Sequence, residues 1–191
     1  MLFYKKNVFE NVQSRTRALF FRKSYDGGDT WGEEKELLNF GFNTWIYNIS
    51  PKVKDGIVHL AFSVKDSVSN LVKDVYYIKS GNSGESWENL QSVGVSGPGS
   101  LSGCKVYESE HGKETRVWDL AIDTSGNPVI AFVVYDSVYG VSYYAKVSYK
   151  QWESIEVGRT KNVYYPTGLT IDEKDPKIVY VDEDSIKREI S

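Results

Sequence analysis

The sequence predicts an all-β chain built from repeated four-stranded antiparallel sheets, and three observations predict it. Aromatic residues make up 14% of the 191 residues, with 14 Tyr and 5 Trp, types that fill half-buried strands. Stretches of aromatic and β-branched residues end in clusters of Gly, Asn, Asp and Pro, while no segment carries the 3.6-residue period of an amphipathic helix. An eight-residue run, Ser24-Tyr25-Asp26-Gly27-Gly28-Asp29-Thr30-Trp31, is echoed by Ser80-Gly81-Asn82-Ser83-Gly84-Glu85-Ser86-Trp87.

Each run carries its own turn chemistry. Asp26 and Asn82 are short acceptors able to fold back onto backbone N–H groups, and Gly28 and Gly84 accept the positive φ that other residues resist. Thr30 and Ser86 add a hydroxyl to the same network, and Trp31 and Trp87 re-enter a strand with a ring that must be buried. Ala18 to Phe21 precedes the first run and Val75 to Ile78 the second, so each reads as strand, tight turn, strand.

The strand and turn signals order into four units, approximately 1–39, 40–94, 115–158 and 165–191, with a long loop at 94–115. The first has strands at 8–12, 17–23 and 32–38. The second has strands at 45–49, 57–64, 74–79 and 87–93, with a turn at Lys54-Asp55-Gly56. The third has strands at 117–122, 128–135, 141–148 and 152–157, and its last turn, Ser148-Tyr149-Lys150-Gln151-Trp152, is a shortened form of the two earlier runs. The fourth has strands at 167–172 and 177–181.

Composition narrows the function classes. A net charge of −3 with scattered Lys and Arg gives no basic stripe for nucleic acid, and no apolar run reaches the roughly 18 residues that cross a membrane. No export signal is visible at the N-terminus, and one cysteine, Cys104, leaves the compartment undecided. Metal-ligand spacings, phosphate-cradling glycine loops and nucleophile elbows are missing, so no cofactor or metal is expected.

The two runs resemble the Asp-box, or BNR repeat, of sialidase-like β-propellers. The first fits at every defined position; the second has Asn82 for Asp and Ser86 for Thr. The resemblance implies a β-propeller of four-stranded blades, in which Ser24, Asp26, Gly28, Thr30, Trp31, Ser80, Asn82, Gly84, Ser86 and Trp87 are structural and the working site lies on the opposite face. Three units and part of a fourth fall short of the four to eight blades of a closed ring, so the chain is expected to be part of a larger propeller, with further blades as partners.

A narrower resemblance lies in Val117-Trp118-Asp119-Leu120-Ala121-Ile122-Asp123, Gly126-Asn127-Pro128-Val129-Ile130-Ala131-Phe132, Tyr143-Tyr144-Ala145-Lys146 and Tyr165-Pro166-Thr167-Gly168-Leu169-Thr170-Ile171-Asp172. These stretches are similar to the repeats of a BNR group that includes polysaccharide lyases of the ulvan lyase type. Where members of that group often carry a histidine before the third strand, this chain has Lys73-Asp74 and Val141-Ser142. The arginine signature that sialidases place ahead of the first box is also missing.

The site candidates follow from the loops of the face away from the boxes. Trp45, Tyr139, Arg159, Tyr164 and Tyr165 pair aromatic faces with a cation, a combination that suits an acidic sugar. The catalytic candidates are His59, Tyr135 and Arg159. His59 points either toward a propeller axis or simply into a strand ladder, and His111 is expected in solvent. The function expected is binding or helping to process an acidic polysaccharide or glycan. A segment of a sialidase-like glycoside hydrolase and a non-catalytic interaction scaffold are the alternatives.

Overall fold

The computed structural model describes residues 1–11, 14–41, 44–135, 139–160, 169–172, 174–181 and 186–189. The chain is mostly β. Strands β1 (Leu2–Asn11), β2 (Ser14–Arg22) and β3 (Lys35–Leu38) are followed by β4 (Thr44–Lys54), β5 (Ile57–Asp66), β6 (Val72–Ser80) and β7 (Trp87–Glu88). Next come β8 (Gly94–Val95), a 3-10 helix (Pro98–Cys104) and β9 (Lys105–Tyr107). The remainder comprises β10 (Glu114–Ile122), β11 (Pro128–Tyr135), β12 (Gly140–Ser148), β13 (Gln151–Thr160), β14 (Leu169–Ile171), β15 (Ile178–Val181) and β16 (Ile186–Glu189).

Strands β10 to β13 form a four-stranded antiparallel sheet in chain order, and β14 to β16 a three-stranded one. The first nine strands make a curled mixed sheet. Its two halves, β1 to β3 and β4 to β9, are linked by a single parallel bridge between Arg17 and Trp45. That one bridge makes the sheet mixed; every other pairing in it is antiparallel.

The hydrophobic alternation decides which faces meet. Along β5, Val58, Leu60, Phe62 and Val64 pack with Leu19 and Leu38 of the first half-sheet, while Ala61 on the other face packs with Val75 and Tyr77 against β10 to β12. In β11, Ile130, Phe132 and Val134 face that same cluster, and Val129, Ala131, Val133 and Tyr135 face Ile171 and Val179 of the last sheet. Every residue of β11 is therefore buried, which is why Pro128 to Tyr135 reads as an unbroken apolar run. Fully covering such a side chain contributes about 1.5–3 kcal/mol.

Three sequence expectations are corrected. The segment read as the long loop 94–115 contains β8, the 3-10 helix and β9, and β9 pairs with β6 through Val75↔Tyr107 and Tyr76↔Lys105. Leu101 and Cys104 anchor the helix in the core, a burial that a short segment without periodic patterning does not advertise. The second correction is Trp31, which stays 40% exposed and precedes β3 without entering it. Its ring lies over its own turn, where a Cβ on Gly28 would sit 3.8 Å from Cζ2, whereas Trp87 is 6% exposed and packs edge-on against Phe3 and Phe21. Third, Ile186–Glu189 adds a strand to the last unit, paired with β15.

Two turns use left-handed backbone that mutation can read. Gly84 has φ +81°, and a Cβ there would meet the Phe21 ring at 3.1 Å. Gly84→Ala is expected to cost about 1–2 kcal/mol from the left-handed backbone alone, and more from the Phe21 contact, read as a lowered denaturation midpoint. The β12–β13 turn places Tyr149 at φ 49° and Lys150 at φ 61°, both left-handed without glycine or asparagine. Replacing the pair by Asn-Gly is expected to raise stability by about 1 kcal/mol on the same measurement.

Candidate functional site

The Asp-box ends of the strands are built as closed turns. In the first, the Ser24 hydroxyl donates to Asp26 Oδ1 at 2.7 Å and accepts from the Gly28 N–H at 2.7 Å, while the Thr30 N–H donates to Asp26 Oδ1 at 2.9 Å. Hydrogen bonds from the Thr30 hydroxyl and N–H, and from Ser24, hold the Asp26 carboxyl well below the usual carboxylate range. In the second, the Gly84 and Ser86 N–H groups bond to Ser80 Oγ and Asn82 Oδ1 at 2.7 and 3.0 Å. Here the Asn82 amide donates to the Ser86 hydroxyl at 2.9 Å, reversing the polarity of the Thr30–Asp26 contact. These groups are consumed by the turns.

Antiparallel pairing fixes what lies at each end. Val58 pairs with both Val53 and Ser80, so the start of β5 shares the box end, and Lys65 and Asp66 finish β5 at the other. His59 stands near the box end, 2% exposed, with Nδ1 2.6 Å from the Tyr77 hydroxyl. Burial, then the charges of Lys79 and Lys54, lowers its pKa to about 4, so the ring is neutral near pH 7. Six residues of strand separate His59 from Lys65, about 20 Å. The three catalytic candidates therefore do not converge, because His59 is remote from Tyr135 and Arg159.

At the end away from the boxes, cations gather on aromatic rings. Trp45 and Tyr47 sit two residues apart at the start of β4, with Ile46 between them turned into the core. The Arg17 guanidinium lies over the Trp45 ring at 5.5 Å. Lys5, Lys65 and Arg116 lie over the Tyr47 ring at 5.8, 5.7 and 5.4 Å. Arg116, from the start of β10, also covers Tyr135 at 5.4 Å and pairs with Glu114 at 2.6 Å. Its buried Nε has no hydrogen-bond partner among the described residues.

Within the cluster, Lys5, Arg17, Lys65 and Arg116 face the Glu114 carboxylate, while Asp66 at the same end pairs with Lys73 at 3.3 Å. The cluster is therefore electropositive, and its charges perturb one another. Burial, then the Arg17 charge, holds the Lys5 ammonium below its ordinary value. Burial pushes Tyr135 up to about 12, offset in part by the Trp118 indole and the Arg116 charge, so its hydroxyl is protonated near neutrality. Neither that hydroxyl nor the Trp118 N–H reaches hydrogen-bond geometry with a described group. The arrangement is suited to holding anions on flat apolar faces.

Of the ligand-binding candidates, Trp45 belongs to this cluster. Tyr139 is 43% exposed just before β12 at the same end. Arg159 is on the outermost strand of its sheet, two strands beyond Tyr135, and pairs with Glu156 at 2.8 Å. Tyr164 and Tyr165 lie outside the described residues. His111 is exposed in the turn closed by the Lys113 N–H and the Glu110 carbonyl.

Sequence reasoning did not single out Lys5, Tyr47, Lys65 or Arg116, because it sought the site in loops rather than on side chains carried by the strands themselves. The alternation Trp45-x-Tyr47 and Arg116-x-Trp118 was the available signal. Asp74, at the place where a histidine was sought, is spent on structure. It accepts from the Ser109 N–H at 2.8 Å and pairs with Lys105 at 3.2 Å, pinning the segment after β9.

A family model described as a BNR repeat-containing family member matches residues 11–160. No curated protein matches the chain by sequence. Among solved structures, a polysaccharide lyase of family PL25, an ulvan lyase, superposes with a TM-score of 0.64 at 11% identity, over 95% of this chain and 50% of the lyase. The same values hold for a PL25 ulvan lyase bound to -[GlcA(1-4)Rha3S]-. The polysaccharide lyase Uly1 gives a TM-score of 0.64 at 13% identity, over 94% of this chain and 41% of Uly1. The likeness is one of fold, and the chain spans half or less of the length of the structures it matches.

Proposed function

The chain belongs to the BNR repeat-containing family, and from that premise we propose that its successive sheets are blades of a β-propeller whose face away from the Asp boxes binds an acidic polysaccharide. The observation that carries the reading is the convergence of Lys5, Lys65 and Arg116 on the single ring of Tyr47. The blades correspond to units at approximately 1–39, 40–94, 115–158 and 165–191. A repeat such as the -[GlcA(1-4)Rha3S]- held by one similar fold carries a carboxylate and a sulfate. Two such anions per repeat suit several cations held close together on the rings of Trp45 and Tyr47.

Affinity electrophoresis through gels containing ulvan, pectin, alginate or sialylated mucin tests the reading, with absorbance of unsaturated uronate product followed in parallel. Retardation by the acidic polysaccharides that fades as salt is raised is the expected result, since exposed ion pairs are screened. Product formation adds lyase chemistry to the same face. Mobility unchanged in every gel contradicts the proposal and leaves an interaction scaffold.

A further inference from the structure

A cleft of about 550 Å³ opens at the Asp-box end, between the β5–β6 ladder and the turns of the next sheet. Its size falls within the range of sites for small molecules. His59 and Tyr77 stand in its wall, and Lys79, which pairs with Glu88 at 3.3 Å, and Lys150 supply two ammonium groups, with no carboxylate among the residues that line it. Leu90 and Pro128 provide apolar wall, and Gln91 and Asn127 provide amides.

The His59–Tyr77 pair offers the same functionality whichever way its proton points. If the tyrosine donates to Nδ1, Nε2 keeps its hydrogen and the phenolic oxygen keeps a lone pair. If Nδ1 donates, the phenol proton is available and Nε2 accepts. One donor and one acceptor remain either way. Trp152 braces the Tyr77 ring edge-on at 5.4 Å, so the pair is held in place.

A second, independent feature marks the same place. The turn that delivers Lys150 is the left-handed pair Tyr149-Lys150, whose Tyr149 is 100% exposed. The Lys150 carbonyl accepts from the Gln91 side chain at 3.1 Å, tying the turn to the opposite wall. Backbone strain retained at the mouth of a polar cleft is a recurring property of binding sites.

From this geometry we propose that the cleft is a second binding site, on the Asp-box side of the molecule, for a small organic anion of sugar size such as a free sugar acid. The carboxylate lies between Lys79 and Lys150, the ring rests on Leu90 and Pro128, and a hydroxyl meets the His59–Tyr77 pair. The site is separate from the Tyr47–Arg116 face and stands or falls without it.

Amide chemical-shift titration of the full chain with sodium glucuronate, against glucose at matched ionic strength, provides the test. Saturable shifts at Gln91, Asn127 and Lys150 with glucuronate, and much weaker ones with glucose, are expected. Lys150→Asn, which suits the left-handed backbone and removes the charge, is expected to weaken binding about tenfold or more while leaving shifts elsewhere unchanged. Equal response to glucose, shifts confined to other residues, or unchanged affinity in Lys150→Asn overturns the proposal.

Discussion

Arg116→Ala is expected to weaken retardation in ulvan gels by at least about tenfold, equivalent to about 1.4 kcal/mol. The residue is the junction of the cluster, since its guanidinium covers both Tyr47 and Tyr135 and its Nε is buried without a described partner. Removing it takes away a charge, a planar donor and the group that holds two rings in register. Arg116→Lys keeps the charge but not the plane, and an intermediate loss is expected. Arg159→Ala, at the outer edge of the same end and paired with Glu156, is expected to lose less than Arg116→Ala does. Thermal melts of the three variants separate lost binding from lost folding. Equal losses for Arg116→Ala and Arg159→Ala contradict a centre at Tyr47.

The second large effect is on acid stability. His59 is buried with a pKa of about 4 in the folded chain, against the ordinary value of 6.5. Below pH 6.5 the unfolded chain takes up a proton that the folded chain refuses. The contribution is therefore fully present above pH 6.5, and it is lost as pH falls toward 4. The size is about 3 kcal/mol, taking 1.36 kcal/mol for each pH unit of the window. The groups that set it are the surrounding burial and the charges of Lys79 and Lys54, with Glu88 pairing Lys79 at 3.3 Å. Asp26 also resists protonation, but its lowered pKa places its contribution at the acid end below this window. His59→Gln keeps a polar neighbour for Tyr77 and removes the titration. Urea unfolding at a series of pH values is expected to show a shallower fall from pH 6.5 to 4 in the variant, and an unchanged slope rejects the assignment.

The predominance of strands was legible because strand signals rest on local chemistry. Pro128 to Tyr135 is apolar throughout because both faces of β11 are covered, and Asp26 and Asn82 sit where short acceptors close turns. Trp31 and Trp87 show the limit of that reading: two rings at equivalent positions differ in burial because Phe3 and Phe21 cover only one of them. Coverage is a property of neighbouring sheets, and the eight residues of each run do not encode it. The candidate site shows the same limit. Trp45 was visible as an aromatic at a strand edge, but Lys5, Lys65 and Arg116 are 60 and 51 residues apart in sequence and meet only through sheet packing. His59 was misleading for the converse reason. Alternation along β5 fixes which face it occupies, while the end of the sheet it occupies emerges only from pairing with β4 and β6.

The most direct test of the central claim is to locate a bound acidic oligosaccharide on the molecule. Titrating a sulfated uronic-acid tetrasaccharide cut from ulvan into the isotopically labelled chain, and following amide and indole resonances, does so. Shifts concentrated at Trp45, Tyr47, Lys65 and Arg116, with Ser24 to Thr30 and Ser80 to Ser86 unmoved, are the predicted result. Shifts concentrated at those turns, with Tyr47 and Arg116 silent, would contradict it.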